Sequence, residues 1–211
     1  MTNKLILLGG GGHCASVIDV IEQEGTYQIK GILDVAEKVG QEVQGYSIIG
    51  TESDIPDLVN DETLFLVTVG QIGNAEVRIR LYHIIKDAGA KMPVIVSPSA
   101  YVSPHAQLGE GTVVMHQACV NAGARIGINN IINSQALLEH HVTTGAHCHI
   151  STASVLNGDC HLGDEVLIGS RASLRQGVSI GNQVLIGMGS VVLRDIREAG
   201  LYIGVPARRY S

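Results

Sequence analysis

The chain has 211 residues, a formal net charge of −6, a mean hydropathy of +0.23 and only 3% aromatic residues. That length suffices for one or two domains with cores of their own. The acidic balance argues against nucleic acid as a partner, and without a run of about eighteen apolar residues no membrane insertion is expected. Met1 to Leu5 leads straight into strand-like sequence rather than a signal peptide. Four scattered cysteines, Cys14, Cys119, Cys148 and Cys160, lack CxxC spacing. Both features suit a reducing, cytoplasmic setting.

Lys4 to Leu8 reads as a buried strand running into Gly9-Gly10-Gly11-Gly12-His13. Val17, Ile18 and Ile21 mark one face of a short helix that ends near Gly25, and Tyr27 to Leu33 forms a second strand ending at Asp34. Leu64 to Val69 is a further strand, closed by Gly70. Asn74 suits the N-cap of a helix whose apolar face holds Val77, Leu81, Ile84, Ile85 and Ala88. Strands alternating with helices predict a small parallel α/β unit over residues 1–92, with Gly89 and Pro93 marking its exit. Its glycine run sits where a nucleotide-binding fold places a phosphate loop, because glycine admits a phosphate to the backbone and a helix N-terminus supplies donors. The dinucleotide fingerprint is not met, since the third glycine position counted from Gly9 is Cys14. A nucleotide other than NAD is therefore expected, with Asp34 accepting hydrogen bonds from ribose or base.

From Val96 to Val192 every sixth residue is aliphatic, with Thr144 the exception among seventeen positions. The residue two places earlier is mostly small, as at Ala118, Ala136, Cys148 and Ser154, and the residue after is often glycine, as at Gly109, Gly127 and Gly145. A fixed six-residue period marks a parallel β-helix. An α-helix cannot hold it, because its apolar stripe advances by 3.6 residues. Each hexad is then a short strand and a turn, with Gly, Asn or Asp serving the corner. Three hexads close one coil, and coils stack at about 4.8 Å, the strand spacing. Residues 93–211 are expected to form this second domain, of about five coils.

Four histidines, His140, His141, His147 and His149, fall within ten residues, at outward or corner phases where core burial is not expected. An imidazole, with an ordinary pKa of about 6.5, suits proton removal from an ammonium group near neutrality. Six arginines, Arg171, Arg175, Arg194, Arg197, Arg208 and Arg209, crowd the C-terminal end. Their planar forks suit phosphate.

Leu7 to His13, Asp34, Val67 to Gly70, the hexads, Glu139-His140 and the tail Ile203 to Arg208 together resemble bacterial sugar acyltransferases of the sialic acid O-acetyltransferase (NeuD) type. Among them the chain is most similar to the UDP-4-amino-sugar N-acetyltransferases (PglD type) of surface glycan synthesis. The resemblance implies a Rossmann-like domain for the UDP-sugar, a left-handed β-helix for acetyl-CoA, and a homotrimer with active sites between neighbouring prisms. It implies acetyl transfer to the 4-amino group of a UDP-linked 4-amino-4,6-dideoxy-N-acetylhexosamine, direct, without an acyl-enzyme or a metal. By motif position His140 matches the base, with Glu139 and His141 beside it. His149 matches a histidine near the acetyl carbonyl, and Gly158, Gly169 and Gly187 match positions near the pantetheine arm. Arg171, Arg175, Arg208 and Arg209 are candidates for the CoA phosphates. Gly11, Gly12, His13, Asp34, Gly70 and Asn133 match the sugar-nucleotide side. One departure stands out: the family places Glu or Asp directly after the base, where this chain has His141. Either a water or a neighbouring chain's carboxylate takes over that role, or His141 marks a weaker need for a general base, as for a different acceptor.

Three other readings stand beside this one. The acceptor could be a hydroxyl, as in sialic acid O-acetylation, or the protein could be a non-catalytic nucleotide-sugar-binding trimer. Trimeric β-helix carbonic anhydrases hold zinc with three histidines; His105 and His141 match the first interval, but Ala146 stands at the third place.

Overall fold

The computed structural model describes residues 3–210 and divides into two compact units. The first runs to Gly70 and includes Glu76–Ile95; the second comprises Gln71–Ala75 and the chain from Val96 onward. The division thus falls slightly beyond residue 92, and a short excursion at 71–75 belongs with the second unit.

The first unit contains β1 (Asn3–Leu8), α1 (Gly12–Glu24), β2 (Tyr27–Leu33), β3 (Glu42–Val43), β4 (Tyr46–Gly50), α2 (Ile55–Leu58), β5 (Thr63–Val67) and α3 (Glu76–Asp87). Its sheet has the order β3-β4-β2-β1-β5, parallel except where β3 runs against β4. In β1, Leu5, Ile6, Leu7 and Leu8 are all buried, the continuous apolar run of a strand covered on both faces. Helix α1 buries Cys14, Val17, Ile18, Val20 and Ile21 and stops at Gly25, whose left-handed φ of 72° lets its amide reach Ile21 O. Helix α3 is rotated from the expected face. It buries Arg78, Leu81, Tyr82 and Ile85, while Val77 is 48% exposed. A hydrophobicity reading passes over Arg78 and Tyr82, whose long side chains carry much apolar surface inward. The segment containing β3, β4 and α2 gave no advance signal, because it anchors itself mainly through Ile48 and Ile55.

In the second unit every hexad aliphatic is the last residue of a strand, from Val96 to Val192. Strands pair in parallel one coil apart: Val113 with Ile131, Ile131 with His149, His149 with Leu167. Three such ladders form the three faces, and the aliphatic and small positions fill the space between them. The exception, Thr144, has its own explanation. Its Oγ1 accepts from Asn130 Nδ2 at 2.9 Å and from the Gly127 amide at 3.2 Å. Asn130 Nδ2 also donates to Gly145 O, and Asn130 Oδ1 accepts from the Cys148 amide. Two buried polar side chains thereby satisfy each other inside an apolar prism.

The corners differ from expectation. Every sixth residue from 111 to 189 has left-handed φ, between 50° and 76°, and most of these are not glycine: Gln117, Gln135, His141, His147, Asp159 and Arg171 are examples. The glycines that follow the aliphatics serve another purpose. A Cβ on Gly127 would lie 2.3 Å from Gly145 O, and one on Gly109 2.6 Å from the Gly127 carbonyl carbon. They are bare because successive coils meet there backbone to backbone. No helix among the described residues is long and apolar enough to cross a membrane.

Candidate active site

The first unit carries the features of a nucleotide site. Gly9 must be glycine: its φ is 103°, and a Cβ would lie 2.3 Å from Val69 Cγ2. Gly11 and Gly12 face no such demand, since an added Cβ would meet nothing within 4 Å. Their bareness leaves the backbone open and is not required by packing. They open α1, whose first turn has no acidic residue and whose N-cap makes no side-chain bond, so its amides are available to an anion. Asp34 fixes this loop. Its Oδ2 accepts from the Gly10 amide at 2.6 Å and from Lys38 Nζ at 2.9 Å, and its Oδ1 from the Val35 amide at 2.7 Å. Burial acts to raise the Asp34 pKa, but the amides of Val35 and Gly10 and the Lys38 ammonium outweigh it, and the net shift is downward. A groove of about 460 Å³ opens beside it beyond the carboxyl ends of β1, β2 and β5, lined by Gly9, Asp34, Thr51, Val69 and Arg80 among others. This is where open parallel sheets take their ligands.

His13 lies against Gly70, where a Cβ would sit 3.3 Å from the His13 Cβ. Burial, and secondarily the Arg78 charge, lowers the His13 pKa to about 4. The ring is therefore neutral at neutral pH. The unfolded chain, with a histidine pKa of 6.5, binds more protons than the folded one between those two values. Stability is expected to fall as pH drops from 6.5 towards 4 and to level off below, by about 3 kcal/mol across the window. Thermal melts of wild type and His13→Gln over that range check this; the variant should show the shallower dependence.

The histidine cluster belongs to the second unit, and the structure splits it. His140 and His141 are exposed at the turn after Leu137–Leu138. The His140 ring lies over Gly158, one coil on, so closely that a Cβ there would sit 2.3 Å from His140 Cε1. The His141 ring lies over Gly123, one coil back, with the corresponding distance 2.4 Å to Cδ2. The two rings meet edge to face, Nδ1 to Nδ1 at 3.3 Å, with an interplanar angle of 79°. Asp159, directly above His141 on the same corner, brings Oδ1 to 3.7 Å from His141 Nδ1. Glu139 is turned to another partner: its Oε2 accepts from Asn121 Nδ2 at 2.9 Å. Gly158→Ala is expected to displace the His140 ring while sparing the fold, because the ring is free to swing into solvent. About a hundredfold loss of turnover with an unchanged melting temperature would express this; steady-state kinetics and a thermal melt measure both.

His147 and His149, expected to face outward, are buried, each 8% exposed. Their positions do point away from the prism axis, but other groups cover them. His147 Nδ1 meets Asn129 Nδ2 at 3.0 Å. His149 is covered by the 71–75 segment: Nδ1 donates to Gln71 O at 3.3 Å, and Nε2 accepts from Asn133 Nδ2 at 3.2 Å. With both nitrogens engaged, His149 has no N–H left for an acetyl oxyanion in this arrangement. The expected CoA glycines also have packing explanations. Gly158 floors His140; a Cβ on Gly169 would reach Met188 N at 2.5 Å, and one on Gly187 would reach Ile203 Cγ2 at 2.6 Å. Arg208 and Arg194 line a groove of about 410 Å³ with Tyr202 and Pro206. Arg171 and Arg175 are exposed and do not line it, while Arg209 is paired with Glu198 at 2.8 Å. The sequence reading passed over Asp159 and Lys38. The signals were present: Asp159 is one eighteen-residue coil beyond His141, and Lys38 is four residues beyond Asp34. The zinc arrangement is not completed, since His105 and His141 share a groove but Ala146 offers no ligand.

Residues 4–85 match the PglD N-terminal domain and residues 159–194 the bacterial transferase hexapeptide family. The acetyltransferase domain of PglB from Neisseria gonorrhoeae FA1090 is 32% identical, with a TM-score of 0.91 over 99% of this chain and 100% of its own. PerB from Caulobacter crescentus, seen with CoA and GDP-perosamine, is 33% identical, with a TM-score of 0.91 over 100% of this chain and 99% of its own. WeeI from Acinetobacter baumannii AYE shares the fold at 19% identity, with a TM-score of 0.69 over 98% and 99% of the two chains. Comparison with curated protein sequences gave no match. Identity at this level over whole chains, joined to an α/β unit with an open glycine loop and a β-helix bearing paired histidines, assigns the chain to the NeuD/PglD family of left-handed β-helix, acetyl-CoA-dependent sugar acetyltransferases.

Proposed function

We propose that this protein moves an acetyl group from acetyl-CoA to the 4-amino group of a UDP-linked 4-amino-4,6-dideoxy-N-acetylhexosamine, with His140 as general base. The observation that carries the reading is the placement of His140: exposed, seated on Gly158, and engaged through Nδ1 with His141. That leaves Nε2 for the substrate. The complex of the PglB domain with acetyl-CoA and that of PerB with CoA and GDP-perosamine support donor and acceptor class.

His140 Nε2 takes a proton from the sugar ammonium, and the freed amine attacks the thioester carbonyl. A C–N bond forms as the carbonyl electrons move to oxygen, and the nitrogen, now carrying a positive charge, releases its second proton to solvent. Collapse of that oxyanion breaks the C–S bond, and the CoA thiolate departs with the proton His140 carried. Holding both reactants in line replaces a covalent intermediate. Asn133 retains a second amide hydrogen beyond the one given to His149, and is assigned to the substrate side. The open amides of Gly11 and Gly12 receive the nucleotide phosphates, and the groove beside Asp34 the nucleoside. Arg194 and Arg208 are assigned to the CoA phosphates. The working assembly is a homotrimer in the cytoplasm.

Thiol release from acetyl-CoA, measured against UDP- and GDP-linked 4-amino sugars and sialic acid, tests the reading. Turnover is expected with a UDP-amino sugar. Preference for a GDP-amino sugar would overturn the nucleotide assignment, and turnover with sialic acid alone would overturn amine transfer. Analytical ultracentrifugation decides the trimer.

A further inference from the structure

Resting on His140 as the base, we infer that His141 and Asp159 act together as its positioning partners. Three observations bear on this. The Nδ1 atoms of His140 and His141 are 3.3 Å apart, the Asp159 Oδ1 is 3.7 Å from His141 Nδ1, and a nitrogen of each ring and a carboxylate oxygen of Asp159 lie within 4.8 Å of one another. Each ring rests on a glycine of an adjacent coil, Gly158 or Gly123. His141 and Asp159 occupy successive left-handed corners, with φ of 59° and 57°, so the strand stacking itself fixes one above the other.

The division of labour follows from proton counting. His140 must keep Nε2 unprotonated to receive the substrate proton, so its hydrogen sits on Nδ1 and needs an acceptor. His141 Nδ1 is that acceptor. When His140 becomes an imidazolium, a neutral histidine alone offers it no counter-charge. Asp159 supplies the negative charge from the coil above. Other ionisable groups nearby are accounted for: Glu139 is bonded to Asn121 Nδ2, while His105, Arg125 and His161 share the groove beside His141.

The test is kcat/KM against pH in the presence of a chelator, for wild type, Asp159→Asn, and Asp159→Asn combined with His141→Asp. Asparagine and aspartate both tolerate left-handed backbone, so the corners survive both changes; thermal melts verify this. Asp159→Asn is expected to lower kcat/KM about fivefold through kcat, with KM for acetyl-CoA unchanged. His141→Asp in that background should restore the rate, by returning a carboxylate next to the base. A profile for Asp159→Asn that superimposes on wild type would overturn the inference. So would a uniform loss that His141→Asp fails to rescue. Either result leaves the base assignment standing if His140→Ala is inactive; activity in His140→Ala removes both.

Discussion

Replacing His140 by alanine is expected to lower kcat/KM for acetyl transfer by about 10²- to 10⁴-fold, the usual contribution of a positioned general base. The loss should fall on kcat, with KM for acetyl-CoA nearly unchanged, because the imidazole acts on the acceptor nitrogen. Stability should hardly move. The ring is exposed, it rests on the bare backbone of Gly158 and the edge of the equally exposed His141 ring, and its removal empties no core volume. Steady-state kinetics beside a thermal melt separate the two effects. A variant that turns over normally would remove His140 from the mechanism. A variant that unfolds would show the ring to be a structural member of the coil.

The second large effect concerns the column itself. Gly127→Ala is expected to cost about 3 kcal/mol or more. The added carbon would lie 2.3 Å from Gly145 O, a backbone atom that cannot step aside without parting two coils. For a chain of this size that corresponds to a fall in Tm of roughly 6–12 °C. Gly177→Ala is the control. Gly177 has φ of 74° and open space around it, so alanine there meets backbone strain alone, about 1 kcal/mol. Melting curves for the two variants should rank them in that order. Equal losses would mean that stacking contacts do not decide where glycine is needed.

Much of this architecture was legible because β-helix geometry is written locally. An inward aliphatic every sixth residue needs no knowledge of distant contacts, and Gly25, at the end of a helical stripe, stops α1 by its own backbone freedom. Misread features were those decided by a neighbour far away in sequence. Gly127 looks like a turn residue until Gly145 is placed against it. Val77 looks like core until Arg78 and Tyr82 take the buried face of α3. His149 carries an outward phase, yet Gln71, from a distant stretch, lies over it. At the site, His140 was marked by its motif, whereas Asp159 becomes visible only when the chain is folded at an eighteen-residue period and read down the columns rather than along the rows.

That period also bears on how such a protein can change. Because each storey of the column repeats the cross-section of the one below, a chemical group can shift one floor and keep its bearing around the axis. A carboxylate carried at 159 rather than at 141 would have that form: the two places share one corner and one left-handed backbone conformation, so either can hold the charge without rearranging the coil.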